Sequence, residues 1–97
     1  MNHNYYVYIL ECADHSYYVG ITNDIERRLS EHNTGYNSSC YTYSRRPLKL
    51  AYEQHFYDVN AAIVFEKQIK GWRREKKKAL IDGRLSALSG LSKCKML

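Results

Sequence analysis

Tyr5-Tyr6-Val7-Tyr8-Ile9-Leu10-Glu11, then Cys12-Ala13-Asp14-His15, then Ser16-Tyr17-Tyr18-Val19-Gly20-Ile21: the reading of this stretch decides the fold. Both flanks are rich in aromatic and β-branched residues and read as strands, while Ala13-Asp14-His15 reads as the turn of a hairpin between them. The register of the hairpin carries the most information. A two-residue loop would pair Glu11 with Tyr18 and send Tyr8 and Tyr18 to opposite faces of the sheet. A three-residue loop pairs Leu10 with Tyr18 and makes the two tyrosines diagonal neighbours on one face. The three-residue form ends on a left-handed residue. That place falls on His15, a residue type that adopts positive φ more readily than most non-glycines. The three-residue register is therefore the one expected.

A helix is expected after the hairpin. Asn23 is a good N-cap with Glu26 three residues on, a capping-box-like start. Ile25 and Leu29 face the core, Arg28 and His32 lie one turn apart on a neighbouring face, and Gly35 is a natural stop. Residues 36–46 are polar and irregular, with room for one helical turn. Pro47 opens a third strand over roughly 48–56. Asp58 or Asn60 caps a second helix running to Lys70, whose core stripe is Ala62, Phe65, Ile69 and Trp72, with Glu66 outside it. Gly71 breaks that helix, and Arg73 to Asp82 forms a short basic third one. The order strand, strand, helix, strand, helix, helix makes an α+β domain: a small, three-stranded, mainly antiparallel sheet flanked by helices. Residues 1–83 are expected to form the domain. Residues 84–97, with Leu85, Leu88 and Leu91 among Ser and Lys, are expected to be a weakly docked or flexible tail.

The 97 residues suffice for one core and leave little room for a second domain. With 44% hydrophobic and 26% charged residues, the composition is that of a globular chain rather than a disordered one. The apolar stretch Tyr5 to Leu10 is too short for a membrane span, and no Lys or Arg precedes it as in a signal peptide. Three well-separated cysteines, Cys12, Cys40 and Cys94, argue against a disulfide framework and for a cytoplasmic location. The net charge of +5 is unevenly divided: residues 1–44 hold two basic against five acidic residues, a formal −3, and residues 45–97 hold thirteen against five, a formal +8. A basic half of this kind suits an acidic partner such as nucleic acid. The chain lacks a Gly-rich phosphate loop, a serine nucleophile elbow and a Cys-x-x-Cys pair. Cys12-Ala13-Asp14-His15 has metal-like spacing without a second ligand pair, which makes zinc a minor prospect.

What remains is the constellation Tyr8, Tyr18, Arg28, His32 and Glu66. Each has a plain reading. The tyrosines, two of ten in the chain, would be strand packing. Arg28 would be a surface residue, His32 a solvated cation favoured by the helix C-terminus, and Glu66 an i,i+4 partner of Lys70. Taken together, in order and spacing, they resemble the GIY-YIG nucleases, and in particular their small single-domain bacterial branch (UPF0213-like). The two name motifs read Tyr6-Val7-Tyr8 and Tyr18-Val19-Gly20. Ten residues past Tyr18 comes the helical Arg28, one turn later His32, and much later the lone helical Glu66. Asn23-Asp24-Ile25-Glu26-Arg27-Arg28-Leu29 and Glu66-Lys67-Gln68-Ile69-Lys70-Gly71-Trp72-Arg73 look very like that branch. Tyr6 stands where the family's first glycine stands, Ile21 where the excision-repair incision subunits carry lysine, and His15 at a turn position usually held by glycine.

The resemblance implies a metal-dependent DNA endonuclease, linked to repair or recombination and selective for structure such as branched, nicked or single-stranded DNA. It implies Tyr8 as general base, Tyr18 orienting the water or sharing the proton network, and Arg28 clamping a phosphate oxygen. His32 would relay a proton or hold Tyr8, and Glu66 would bind one Mg²⁺ or Mn²⁺. The alternatives are a nucleic-acid-binding module of the same fold with little turnover, and an interaction subunit targeted by a protein partner. Tyr41, Thr42, Tyr43, Arg45, Arg46, Lys67, Lys70, Arg73 and Lys76 mix aromatic and basic character and are candidates for contacts along a nucleic-acid backbone.

Overall fold

A computed structural model of the chain describes residues 4–35 and 40–83. Strand β1 (Tyr5–Glu11) forms the middle of a sheet, with β2 (Tyr17–Thr22) on one side and β3 (Lys49–Phe56) on the other. Both pairings are antiparallel, so the sheet expected to be mainly antiparallel is wholly so. The hairpin takes the three-residue register: Leu10 pairs with Tyr18, Tyr8 with Gly20, and His15 sits at φ 68°. Cys12 N–H donates to the Ser16 carbonyl at 2.9 Å and closes the loop, and Asp14 accepts both the backbone N–H and the hydroxyl of Ser16. In the other pairing Ile9 faces Tyr52 but Leu10 faces Leu50, so Ala51 is the extra residue of a bulge.

Val7, Tyr8, Ile9 and Leu10 are all buried, with no alternation. This is the signature of a strand covered on both faces. On one face Val7, Ile9 and Val19 pack against Ala62 and Ile69 of helix α2 (Val59–Lys70), with Phe65, Trp72 and Leu80 around them. On the other, Tyr8 and Leu10 pack with Cys12 and Leu48 against Ile25 and Leu29 of helix α1 (Ile25–Thr34). Each fully buried side chain of this kind is worth about 1.5–3 kcal/mol. Helix α3 (Arg74–Ile81) follows Gly71 and lies against β3. Among the described residues no helix is long and apolar enough to cross a membrane. The expected tail, residues 84–97, lies outside the described residues.

One local expectation is corrected. The N-cap of α1 is Asp24, not Asn23: its carboxylate accepts the Arg27 N–H at 3.1 Å, and Thr22 Oγ1 accepts the Asp24 N–H. The carboxylate also faces the positive end of the helix, which favours it over an amide. Asp58 caps α2, accepting the Asn60 N–H, and Gly35 ends α1 in the left-handed region at φ 71°. Glu66, which lies outside the apolar stripe, is only 8% exposed. It sits one turn beyond the fully buried Ala62, where α2 crosses β1 and β2.

Candidate functional site

The hairpin register puts Tyr8 and Tyr18 on the face that α1 covers, with ring centroids 6.4 Å apart. Tyr8 lies across Gly20 on the neighbouring strand. A Cβ at that glycine would lie 2.5 Å from the Tyr8 Cζ, so the missing side chain is what lets the ring lie flat there. His32, near the end of α1, meets both phenols, its ring 6.2 Å from that of Tyr8 and 5.1 Å from that of Tyr18. Its Nε2 is 3.2 Å from the Tyr8 hydroxyl and its Nδ1 is 2.8 Å from Thr42 Oγ1. His32 is 1% exposed, which rules out the solvated helix-end cation. Burial first, and then the charge of Arg28, pull its pKa below the usual histidine value, so the imidazole is neutral near pH 7.

Arg28, one turn before His32, shares a crevice with Tyr8, Leu10, Ile25, Leu29 and Leu50. Its guanidinium is held at 3.1 Å by Glu31 on its own helix. Glu66 reaches the neighbourhood from α2, on another side of the sheet. Lys70 pairs with its carboxylate at 2.7 Å, and that hydrogen bond is the main reason the Lys70 pKa is raised. Tyr18 lies within electrostatic reach of the same ammonium group. Tyr18, His32 and Arg28 thus gather around the buried Tyr8 phenol, while Glu66, on α2, is linked to them through the electrostatic reach between its partner Lys70 and Tyr18.

Among the described residues no three His, Cys, Asp or Glu side chains converge on a point where a metal would sit. Glu66 supplies one buried carboxylate with hard oxygen donors. That suits Mg²⁺ or Mn²⁺, which takes one or two protein carboxylates and completes its octahedron with waters and substrate phosphate. It does not suit zinc, which asks for three or four nitrogen and sulfur ligands.

The residues expected along a nucleic-acid backbone divide. Tyr43, Lys67, Arg73 and Lys76 are exposed or nearly so. Lys76 lies 4.4 Å over the Trp72 ring and Arg46 lies 4.4 Å over Tyr43. Tyr41, 45% exposed, stacks on Tyr18 at 6.2 Å and carries the Arg45 guanidinium 3.9 Å above its ring. Arg45 is also bound to Asp14 at 3.1 Å and to the Tyr41 carbonyl, and Lys70 is engaged by Glu66. Thr42 is 1% exposed and cannot be a surface contact. It belongs instead to the His32 side of the site, a role its sequence neighbourhood of exposed Tyr41 and Tyr43 conceals. Gly20 was detectable in principle, because a glycine inside a strand marks a close approach.

The GIY-YIG catalytic-domain family matches residues 4–79 of this chain. A UPF0213 protein of Haloquadratum walsbyi is 45% identical over 82 residues, spanning 84% of this chain and 91% of its own length. One from Bacillus pumilus is 44% identical over 80 residues, spanning 82% and 81%. The solution NMR structure of a UPF0213 protein from Bacillus halodurans superposes with a TM-score of 0.55 at 34% identity, covering 97% of this chain and 99% of that one. A second NMR structure, of a protein from E. faecalis, gives 0.59 at 34% identity, covering 82% and 84%. With the two tyrosines, the helical arginine and the distant glutamate in the expected order on the expected strands and helices, the chain belongs to the GIY-YIG family, alongside its UPF0213 members.

Proposed function

We propose that this protein is a metal-dependent DNA endonuclease that hydrolyses phosphodiester bonds, its catalytic module spanning residues 1–83. The observation that carries the reading is the buried contact between the Tyr8 hydroxyl and His32 Nε2 at 3.2 Å, with Arg28 beside it. A phenol near its ordinary pKa of about 10 is a poor base at neutral pH. A neutral imidazole within hydrogen-bond reach gives its proton somewhere to go, and a guanidinium nearby favours the phenolate. His32 Nε2 accepts the phenolic proton, and the phenolate takes a proton from the attacking water. The new oxygen–phosphorus bond forms as the bond to the leaving oxygen breaks, and solvent returns a proton to that oxygen. Arg28 holds a non-bridging phosphate oxygen, for which its fork is suited. Tyr18 orients the water.

Glu66 would hold the Mg²⁺ or Mn²⁺, which when bound supplies positive charge to the phosphate and the leaving oxygen. Tyr43, Arg46, Lys67, Arg73 and Lys76 form the proposed contacts to the nucleic-acid backbone. Discrimination would rest on DNA structure or on a protein partner, in a cytoplasmic repair or recombination process. Purified protein with Mg²⁺ or Mn²⁺ is expected to cut at least one of plasmid, branched, nicked and single-stranded DNA, with activity lost in Glu66→Gln. No cleavage above that variant on any of them overturns the proposal.

One observation favours a second reading, a binding module with little turnover: Lys70 already neutralises the Glu66 carboxylate at 2.7 Å. That reading requires salt-sensitive DNA binding that survives Glu66→Gln and Tyr8→Phe and is weakened by charge reversal at Arg73.

A further inference from the structure

Thr42 occupies the N-cap position of a short 3-10 turn, Tyr43–Arg45, yet its side chain makes no capping hydrogen bond. A threonine at such a position ordinarily spends its hydroxyl on the turn's own N–H groups. Here it turns inward, is 1% exposed, and meets His32 Nδ1 at 2.8 Å and Cys40 Sγ at 3.4 Å. We propose that Thr42 is a positioning residue: its oxygen accepts the Nδ1–H of His32 and so fixes the neutral imidazole as the tautomer whose bare Nε2 receives the Tyr8 hydroxyl proton.

A buried neutral imidazole has one N–H and one lone pair to share between two oxygen neighbours. Two directions are open to the chain of hydrogen bonds. In one, protons point from Tyr8 to His32, from His32 to Thr42 and from Thr42 to Cys40. In the other they all point the opposite way, with the cysteine S–H as the terminal donor. Cysteine sulfur is weak in both roles, but between a hydroxyl and a thiol the hydroxyl is the better donor. The first direction uses each group in its better role. The charge of Arg28, which acts on both His32 and Cys40, adds to this by favouring negative charge at the sulfur.

The position of Thr42 is itself secured. Its carbonyl accepts the Arg45 N–H at 3.0 Å, the Arg45 carbonyl accepts the Ala13 N–H at 2.8 Å, and the Arg45 side chain binds Asp14. The hydroxyl is thereby tied to the hairpin turn and does not drift with the exposed tyrosines on either side. The titratable and charged groups around His32 are Tyr8 from β1, Tyr18 from β2, Arg28 and Glu31 on α1, and Cys40.

The catalytic consequence rests on the nuclease reading; the tautomer does not. The full chain, ¹⁵N-labelled, is examined by long-range ¹H–¹⁵N correlation near pH 7.5. His32 is expected to show the Nδ1–H pattern in the native protein and in Thr42→Ser. Thr42→Val keeps the shape and removes the acceptor, and it is expected to shift His32 toward the Nε2–H form. A native Nε2–H pattern, or an unchanged pattern in Thr42→Val, overturns the proposal. The native spectrum decides the tautomer even where the valine variant does not fold. If the native chain cuts DNA, Thr42→Val should lower kcat by about 10- to 100-fold, the range for a residue that orients a functional group from behind, with KM little changed and Thr42→Ser restoring it. An equal kcat in Thr42→Val and native protein refutes the positioning role. Absence of cleavage by the native chain refutes the nuclease reading instead and leaves the spectroscopic result standing.

Discussion

Alanine at position 20 tests whether the Tyr8 ring must lie where it does. An ideal Cβ there would be 2.5 Å from Tyr8 Cζ and 3.1 Å from Cε1, whereas ordinary contact begins at 3.4 Å. The ring would have to retreat by about 0.9 Å to restore that contact, close to the displacement of about 1 Å that costs around a hundredfold in a positioned active site. Tyr8 is 2% exposed and held by His32, so the movement is resisted by packing rather than absorbed by solvent. Overpacking of this kind costs about 1–3 kcal/mol. Alanine returns about 0.4–1 kcal/mol by restricting the unfolded chain. The net destabilisation expected is about 1 kcal/mol, small against the usual stability of about 5–15 kcal/mol, so Gly20→Ala should fold.

Urea unfolding followed by Trp72 fluorescence gives the stability, and Mg²⁺-dependent DNA cleavage gives the activity, expected to fall about a hundredfold. The decisive control is the same substitution in a Tyr8→Ala background, where no ring is left to meet. There the alanine should be neutral or stabilising, giving a coupling within the range of about 0.5–3 kcal/mol seen for residues in contact. An equal cost in both backgrounds refutes the claim that Gly20 exists to admit the ring. Undiminished cleavage by Gly20→Ala refutes the claim that the chemistry depends on the ring's position.

Three further outcomes are expected. The lowered pKa of His32 means that the unfolded chain binds the proton more readily than the native one. Stability is therefore full above the unfolded value near 6.5 and declines as pH falls through it toward the folded value; urea midpoints measured between pH 7.5 and 5 should fall, and less so in His32→Gln. Lys70→Met removes the ammonium that competes with a cation for Glu66. The partly exposed pair is worth about 0.2–1 kcal/mol, so Mn²⁺ binding measured calorimetrically should tighten by about 1.5- to 5-fold, and an unchanged affinity counts against Glu66 as the metal ligand. Burial pushes the Cys12 thiol up. Burial also acts to raise Cys40, but hydrogen bonds with Thr42, the Arg28 charge and the Tyr41 backbone outweigh it, leaving that thiol lowered. Iodoacetamide at pH 7.5 should alkylate Cys40 well before Cys12, read by peptide mass spectrometry, and the reverse order would contradict the arrangement.

The hairpin was legible because the three-residue register puts His15, a type that adopts positive φ more readily than most non-glycines, at its left-handed position. The helix cap was legible to within one residue. Asn23 and Asp24 are both competent caps, and Thr22, whose hydroxyl accepts the Asp24 N–H two residues on, supports the second of them. Periodicity placed Arg28 and His32 one turn apart but could not bury His32. Its burial comes from Tyr8, Tyr18 and Thr42 closing over it from three separate segments. The burial of Glu66 was hidden for a related reason. A stripe of apolar residues records which side of a helix meets an apolar neighbour, not which polar side chain is buried beside it, and Glu66 is buried with Lys70 across its carboxylate. The +8 of the second half also overstates the charge available to DNA. Arg45, Lys70 and Lys78 are ion-paired, and Arg74 lies over Tyr17 and donates to the His15 carbonyl.

Thr42 was the least legible residue of all, and its place shows how the fold and the site depend on each other. The turn Ala13-Asp14-His15 does two things at once. Its length sets the register that brings Tyr18 beside Tyr8. Its backbone and side chain also hold Arg45, through the Ala13 N–H and the Asp14 carboxylate, and Arg45 in turn fixes the backbone of Thr42. Shortening the turn by one residue would move Tyr18 to the other face and would also disturb the anchor that presents the Thr42 hydroxyl to His32. Sequence spacing reveals the first consequence, because it follows from the two-residue repeat of a strand. The second runs through an irregular segment ten residues beyond His32, where no period exists to betray it. A candidate catalytic set can therefore be read from ordered motifs, while the groups proposed to orient it are found only once the segments between those motifs are folded against it.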